Sequence, residues 1–80
     1  MIPTHILTLQ KTLYKGEVQS ITAPGTEGQF TILPHHLPLL TNIQKGVIVL
    51  KSKEHEPQFI EVPDRGIFEL AGGKATILLS

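Results

Sequence analysis

Glycine and proline punctuate this chain densely, and no window between them offers about ten or more residues of helical period with a cap. Seven glycines and six prolines are spread over 80 residues. Between them lie apolar runs of strand length, whereas a helix is read from roughly ten or more residues with a 3.6 period and a cap. Short runs bounded by turn residues predict an all-β domain, a sandwich or a barrel.

The segment holding Ile6, Leu7, Leu9 and Leu13 alternates loosely among Thr, Gln and Lys and reads as an edge strand, broken at Lys15-Gly16. Residues 17–23 form the second strand. Pro24-Gly25-Thr26-Glu27-Gly28 is a loop by its chemistry, since proline removes a donor and glycine permits positive φ. Residues 30–33 are a strand stopped by Pro34, and residues 37–43 another, with Pro38 confined to its start or to an edge. Lys45-Gly46 turns into Val47-Ile48-Val49-Leu50, the most β-branched run. A charged hairpin tip at 51–57 leads to a return strand at 58–62, and Pro63-Asp64-Arg65-Gly66 turns again. The last two strands, 67–71 and 75–79, flank Gly72-Gly73, a pair suited to a type I′ turn. The expected architecture is a two-sheet β-sandwich of about eight to ten short strands, one domain over residues 1–80.

Composition narrows function mainly by exclusion. Seven basic and seven acidic side chains cancel, and no basic stripe is present to neutralise a row of phosphates. One Tyr and three Phe, well separated, make no stacking platform for single-stranded nucleic acid. The absence of cysteine excludes disulfides and thiolate metal sites. The start, Met1-Ile2-Pro3-Thr4-His5, has neither the basic region nor the apolar stretch of a signal peptide. His35 and His36 are the only adjacent pair of good metal ligands, but in an extended segment neighbours point to opposite sides. Glu54 and Glu56 sit in the hydrophilic tip, where solvated turn charges are the simpler reading. Ser20, Ser52 and Ser80 lie outside any nucleophile elbow. No catalytic residue, metal site or cofactor site is expected, which leaves a protein-interaction domain; a small hydrolase or lectin-like domain would need a concave polar pocket.

The run Thr22-Ala23-Pro24-Gly25-Thr26-Glu27-Gly28-Gln29-Phe30-Thr31-Ile32-Leu33-Pro34-His35-His36-Leu37-Pro38-Leu39-Leu40-Thr41 resembles the signature of the epsilon subunits of F-type ATP synthases. The likeness continues through Leu13-Tyr14-Lys15-Gly16-Glu17-Val18, Gln44-Lys45-Gly46-Val47-Ile48, Gly66-Ile67-Phe68-Glu69-Leu70 and Lys74-Ala75-Thr76-Ile77-Leu78, in family order. The resemblance implies a non-catalytic rotor subunit whose N-terminal sandwich packs on the gamma subunit and the c-ring, coupling proton flow to ATP synthesis. It implies a place on the cytoplasmic face of a bacterial plasma membrane, or on the equivalent organellar inner membrane. Carried over position by position, Glu27, Gly28, Gln29 and His36 are the candidate contacts to gamma or the c-ring. A bulky residue at Gly28 is then expected to weaken assembly and spare the fold. Val47 and Leu50 are candidates for an apolar face against gamma, with core burial the simpler expectation.

Three departures stand out. The family usually has Gly where this chain has His35, and often Gly at Thr31. The turn 63–66 differs from the family's. The sequence ends at Ser80, where most members continue into a C-terminal helical hairpin, so no inhibition through that hairpin and no nucleotide site is expected. The alternative reading is a sandwich adaptor with a partner unrelated to the synthase.

Overall fold

A computed structural model describes all 80 residues, and every regular element in it is a strand. The order is β1 (Ile2–Leu7), β2 (Thr12–Val18), β3 (Ser20–Gly25), β4 (Gly28–Ile32), β5 (Leu39–Lys51), β6 (Gln58–Ala71) and β7 (Lys74–Leu79). They form a single hydrogen-bonded sheet in the order β2-β1-β7-β6-β5-β3-β4. All pairings are antiparallel except β1 with β7.

The sandwich arises because β5 and β6, 13 and 14 residues long, pass through both layers. Their mutual register shifts between Gln44 and Gly46, opposite Val62 and Arg65, and the strands change layer at this bulge. One layer holds β2, β1, β7, the second half of β6 and the first half of β5. The other holds the first half of β6, the second half of β5, β3 and β4. Strand alternation then aims one side chain in two inward. Ile2 and Ile6, Ile21 and Ala23, Ile48 and Leu50, Phe68 and Leu70, and Ala75, Ile77 and Leu79 meet in one 15-residue core. Burying a side chain of this size stabilises by about 1.5–3 kcal/mol. Phe68 from one layer meets Phe30 from the other edge-to-face, with ring centroids 5.1 Å apart. Thr4, the one buried polar side chain, donates from Oγ1 to the Ile2 carbonyl at 2.9 Å.

The all-β sandwich is as expected, with seven strands close to the expected eight to ten. The local differences lie at Lys45-Gly46 and Pro63-Asp64-Arg65, which form a bulge inside two long strands and not turns. Bulges and turns draw on the same residues, so local chemistry does not separate them. The first strand is not an edge: β1 lies between β2 and β7. Leu9 is 90% exposed in a turn that Thr8 ties to Lys11, and Gly16 continues β2 instead of breaking it. The 72–73 hairpin is as expected, with φ of 58° and 75° at the two glycines.

Candidate functional site

β3 and β4 form a hairpin whose tip is Thr26-Glu27, with Gly25 and Gly28 paired beneath it. Pro24 and Gly25, expected in the loop, belong to β3. Gly25 has to be glycine, since a Cβ there would sit 2.6 Å from the Gly28 carbonyl oxygen and 2.9 Å from the Phe30 ring. Gly28 has φ of +128°, and a Cβ added there would meet nothing within 4 Å, so its requirement is conformational. That corrects the expectation that a bulky residue at Gly28 spares the fold: any side chain there strains the backbone, whatever it does to assembly.

After β4 the chain crosses between layers through residues 33–38. His35 is the one non-glycine residue with positive φ, at 71°. It is therefore not in an extended segment, and the argument that His35 and His36 point to opposite sides does not hold. The family's usual Gly at this position has a physical reason: the left-handed conformation costs an L-residue about 1–2 kcal/mol, and His is among the side chains that enter it more readily than most. The turn is closed by His36 N–H donating to the Leu33 carbonyl at 3.1 Å. The Leu37 carbonyl lies 2.6 Å from His36 Nδ1. A carbonyl only accepts, so Nδ1 carries the proton of that bond and Nε2 is left free for another partner.

These two connections flank a groove of about 380 Å³ lined by Glu27, Gly28, Gln29, Phe30, Ile32, His36, Leu39 and Thr41. All four candidate contact residues, Glu27, Gly28, Gln29 and His36, stand on it, at its rim and exposed. Phe30, Ile32 and Leu39 supply an apolar floor that the sequence alone did not assign to the site. The groove is the open mouth of the sandwich: β4 borders it in one layer, the first half of β5 in the other. Around the mouth, Leu33, Leu37 and Leu40 are 58%, 78% and 70% exposed. Val47 and Leu50 separate, Val47 half-exposed on the outer face and Leu50 in the core. Glu54 and Glu56 are exposed between β5 and β6. No three His, Asp or Glu side chains converge as metal ligands would.

The fold and its groove define an open-mouthed β-sandwich with an apolar floor and a polar rim. The family model for the ATP synthase delta/epsilon chain β-sandwich domain matches residues 1–80. The chain belongs to that family. It is 41% identical over 68 residues to an ATP synthase epsilon chain of Leptospira borgpetersenii, covering 78% of this chain and 54% of the relative. It is 37% identical over 73 residues to that of Chlorobium limicola, covering 91% and 82%. The chain thus spans little more than half the length of the Leptospira relative. Among solved structures, a chain of the Euglena gracilis mitochondrial ATP synthase OSCP/F1/c-ring assembly superposes with a TM-score of 0.88. That match is 18% identical and covers 98% of this chain and 49% of the other. A chain of the Tetrahymena thermophila central stalk/c-ring gives 0.80 at 15% identity, covering 98% and 62%. At such identities the two superpositions speak to the fold.

Proposed function

We propose that this chain is a non-catalytic rotor part of an F-type ATP synthase, a single domain seated on the central stalk against the gamma subunit and the c-ring. The observation that carries this reading is the family match along the whole 80 residues, joined to a groove on which the carried-over contact residues meet. The relatives are named as epsilon chains, and the superposed folds come from F1/c-ring and central stalk/c-ring assemblies. Its place is the F1 sector at the membrane, on the cytoplasmic face in a bacterium or the corresponding face of an organellar inner membrane. Torque passes through surfaces that do not yield, and a close-packed sandwich with two strands shared between layers meets that demand.

Within this reading Glu27, Gly28, Gln29 and His36 contact gamma or the c-ring, and the chain holds no nucleotide. Calorimetric titration of the chain into the gamma subunit from the same source tests it, alongside a Glu27→Ala/His36→Ala variant. The expected result is saturable binding, weakened at least about tenfold by the double substitution. Binding unchanged by the variant would move the gamma contact elsewhere and leave the rim to the c-ring, and absence of binding would remove the stalk role in favour of an unrelated adaptor.

A further inference from the structure

The backbone bordering the groove has unfilled hydrogen-bonding capacity. Pro24 has no N–H, so its pairing with Gln29 is of the non-bonded kind; the β3–β4 bonds fall on Ala23 with Phe30 and Gly25 with Gly28. By alternation the N–H and C=O of Gln29 and Thr31 point out of the sheet edge, and no other group of the chain bonds to them. Across the mouth the same holds for β5. The Asn42 carbonyl accepts from Thr26 N–H at 3.3 Å and so faces away from β6. Two residues earlier, Leu40 also turns its N–H and C=O outward, with no partner.

Free strand edges are normally guarded by charge, proline or cover, and the other edges of this molecule are. The outer edge of β2 carries Lys15 and Glu17, and the unpaired flank of β6 carries Glu61, Pro63 and Asp64. β4, from Gly28 to Ile32, has no charge and no proline, and neither do residues 39–42 of β5. The unguarded edges are the two that border the groove, whose apolar floor is Phe30, Ile32 and Leu39. An edge of unpaired amides over an apolar floor fits one kind of occupant: an extended, uncharged polypeptide segment.

Resting on the stalk reading above, we propose that the partner subunit binds by strand addition. An extended apolar segment of gamma pairs its backbone with Gln29 and Thr31 of β4 and seats alternate side chains on Phe30, Ile32 and Leu39.

Two substitutions at one position separate backbone from side chain. Gln29→Pro removes an outward N–H and no bond within the domain, whereas Gln29→Ala removes the side chain and keeps the N–H. Calorimetry with gamma is expected to show at least about tenfold weaker binding for Gln29→Pro and less than about threefold for Gln29→Ala, with circular dichroism confirming that both fold. Amide exchange on the unsubstituted chain gives an independent reading: the Gln29 and Thr31 amides exchange freely alone and slow at least about a hundredfold with gamma bound. Equal effects of the two substitutions, or fast exchange at both amides in the complex, would overturn strand addition while leaving the stalk reading in place. Failure of the unsubstituted chain to bind gamma would overturn both. Protection of the same amides without gamma, rising with chain concentration, would assign the edge to a second copy of this chain and overturn the proposal.

Discussion

Gly66→Ala tests the account of how the two layers are joined. Gly66 lies on β6 just past the bulge, between Ile43 of β5 and Leu79 of β7. A Cβ there would stand 2.6 Å from the Leu78 carbonyl oxygen, 2.8 Å from Leu79 Cδ2 and 3.3 Å from Leu79 Cα. Two of the three obstacles are backbone, so a rotamer change relieves only one of them. Forcing a methyl into packed structure costs about 1–3 kcal/mol. Replacing glycine also restricts the unfolded chain, which returns about 0.4–1 kcal/mol. Two of the contacts fall under 3.0 Å, so the cost of the methyl lies in the upper part of its range, about 2–3 kcal/mol, and the net loss is about 1–2.6 kcal/mol. A domain of this size loses roughly 4–8 °C in Tm per kcal/mol, so thermal unfolding followed by circular dichroism is expected to move down by about 4–20 °C. A Tm within about 2 °C of the unsubstituted chain would refute the close approach of β6 to β7, and with it the geometry of the bend beneath the groove.

Other substitutions probe single features. His35→Gly relieves a left-handed residue worth about 1–2 kcal/mol and gives back about 0.4–1 kcal/mol in unfolded-state freedom. Since His35 is exposed, the expected net is a stabilisation of about 0.5–1 kcal/mol by urea unfolding, and destabilisation would contradict the assigned φ. Gly28→Ala meets no atom but keeps φ at +128°, so it is expected to cost about 1 kcal/mol or more by the same assay. Phe68→Ala removes a fully buried ring and its partner contact with Phe30. At about 3–5 kcal/mol, and roughly 4–8 °C per kcal/mol for a domain of this size, it is expected to lower Tm by at least about 12 °C in thermal unfolding.

Much of this fold is legible in the sequence because one face of each strand is buried. Ile2, Thr4 and Ile6, or Phe68, Leu70 and their partners Ile77 and Ala75, are the alternation that burial imposes. The Gly72-Gly73 turn is equally local. What escapes is where a strand bends without ending. Gly46, where a Cβ would stand 2.9 Å from the Pro24 ring, and Pro63, on a flank where no ladder bond is lost, look like turn residues until their cross-strand neighbours are known. The site divides in the same way. Resemblance marks the rim residues Glu27, Gly28, Gln29 and His36, which lie close together in sequence. The opposite wall, Leu39 and Thr41, joins them only because the left-handed His35 turn carries the chain into the other layer. Unpaired amides, likewise, are a property of register, and no residue type announces them.

The central claim is that the mouth of the sandwich is the face by which this chain sits on the rotor. Its most direct test is site-specific photo-crosslinking in membranes that assemble the synthase, with the reactive residue at position 40 beside the groove or at position 54 in the exposed loop between β5 and β6. Adducts with gamma or the c-ring are expected from position 40 and none from position 54. Adducts from position 54 alone would place the rotor contact at the other end of the molecule and contradict it.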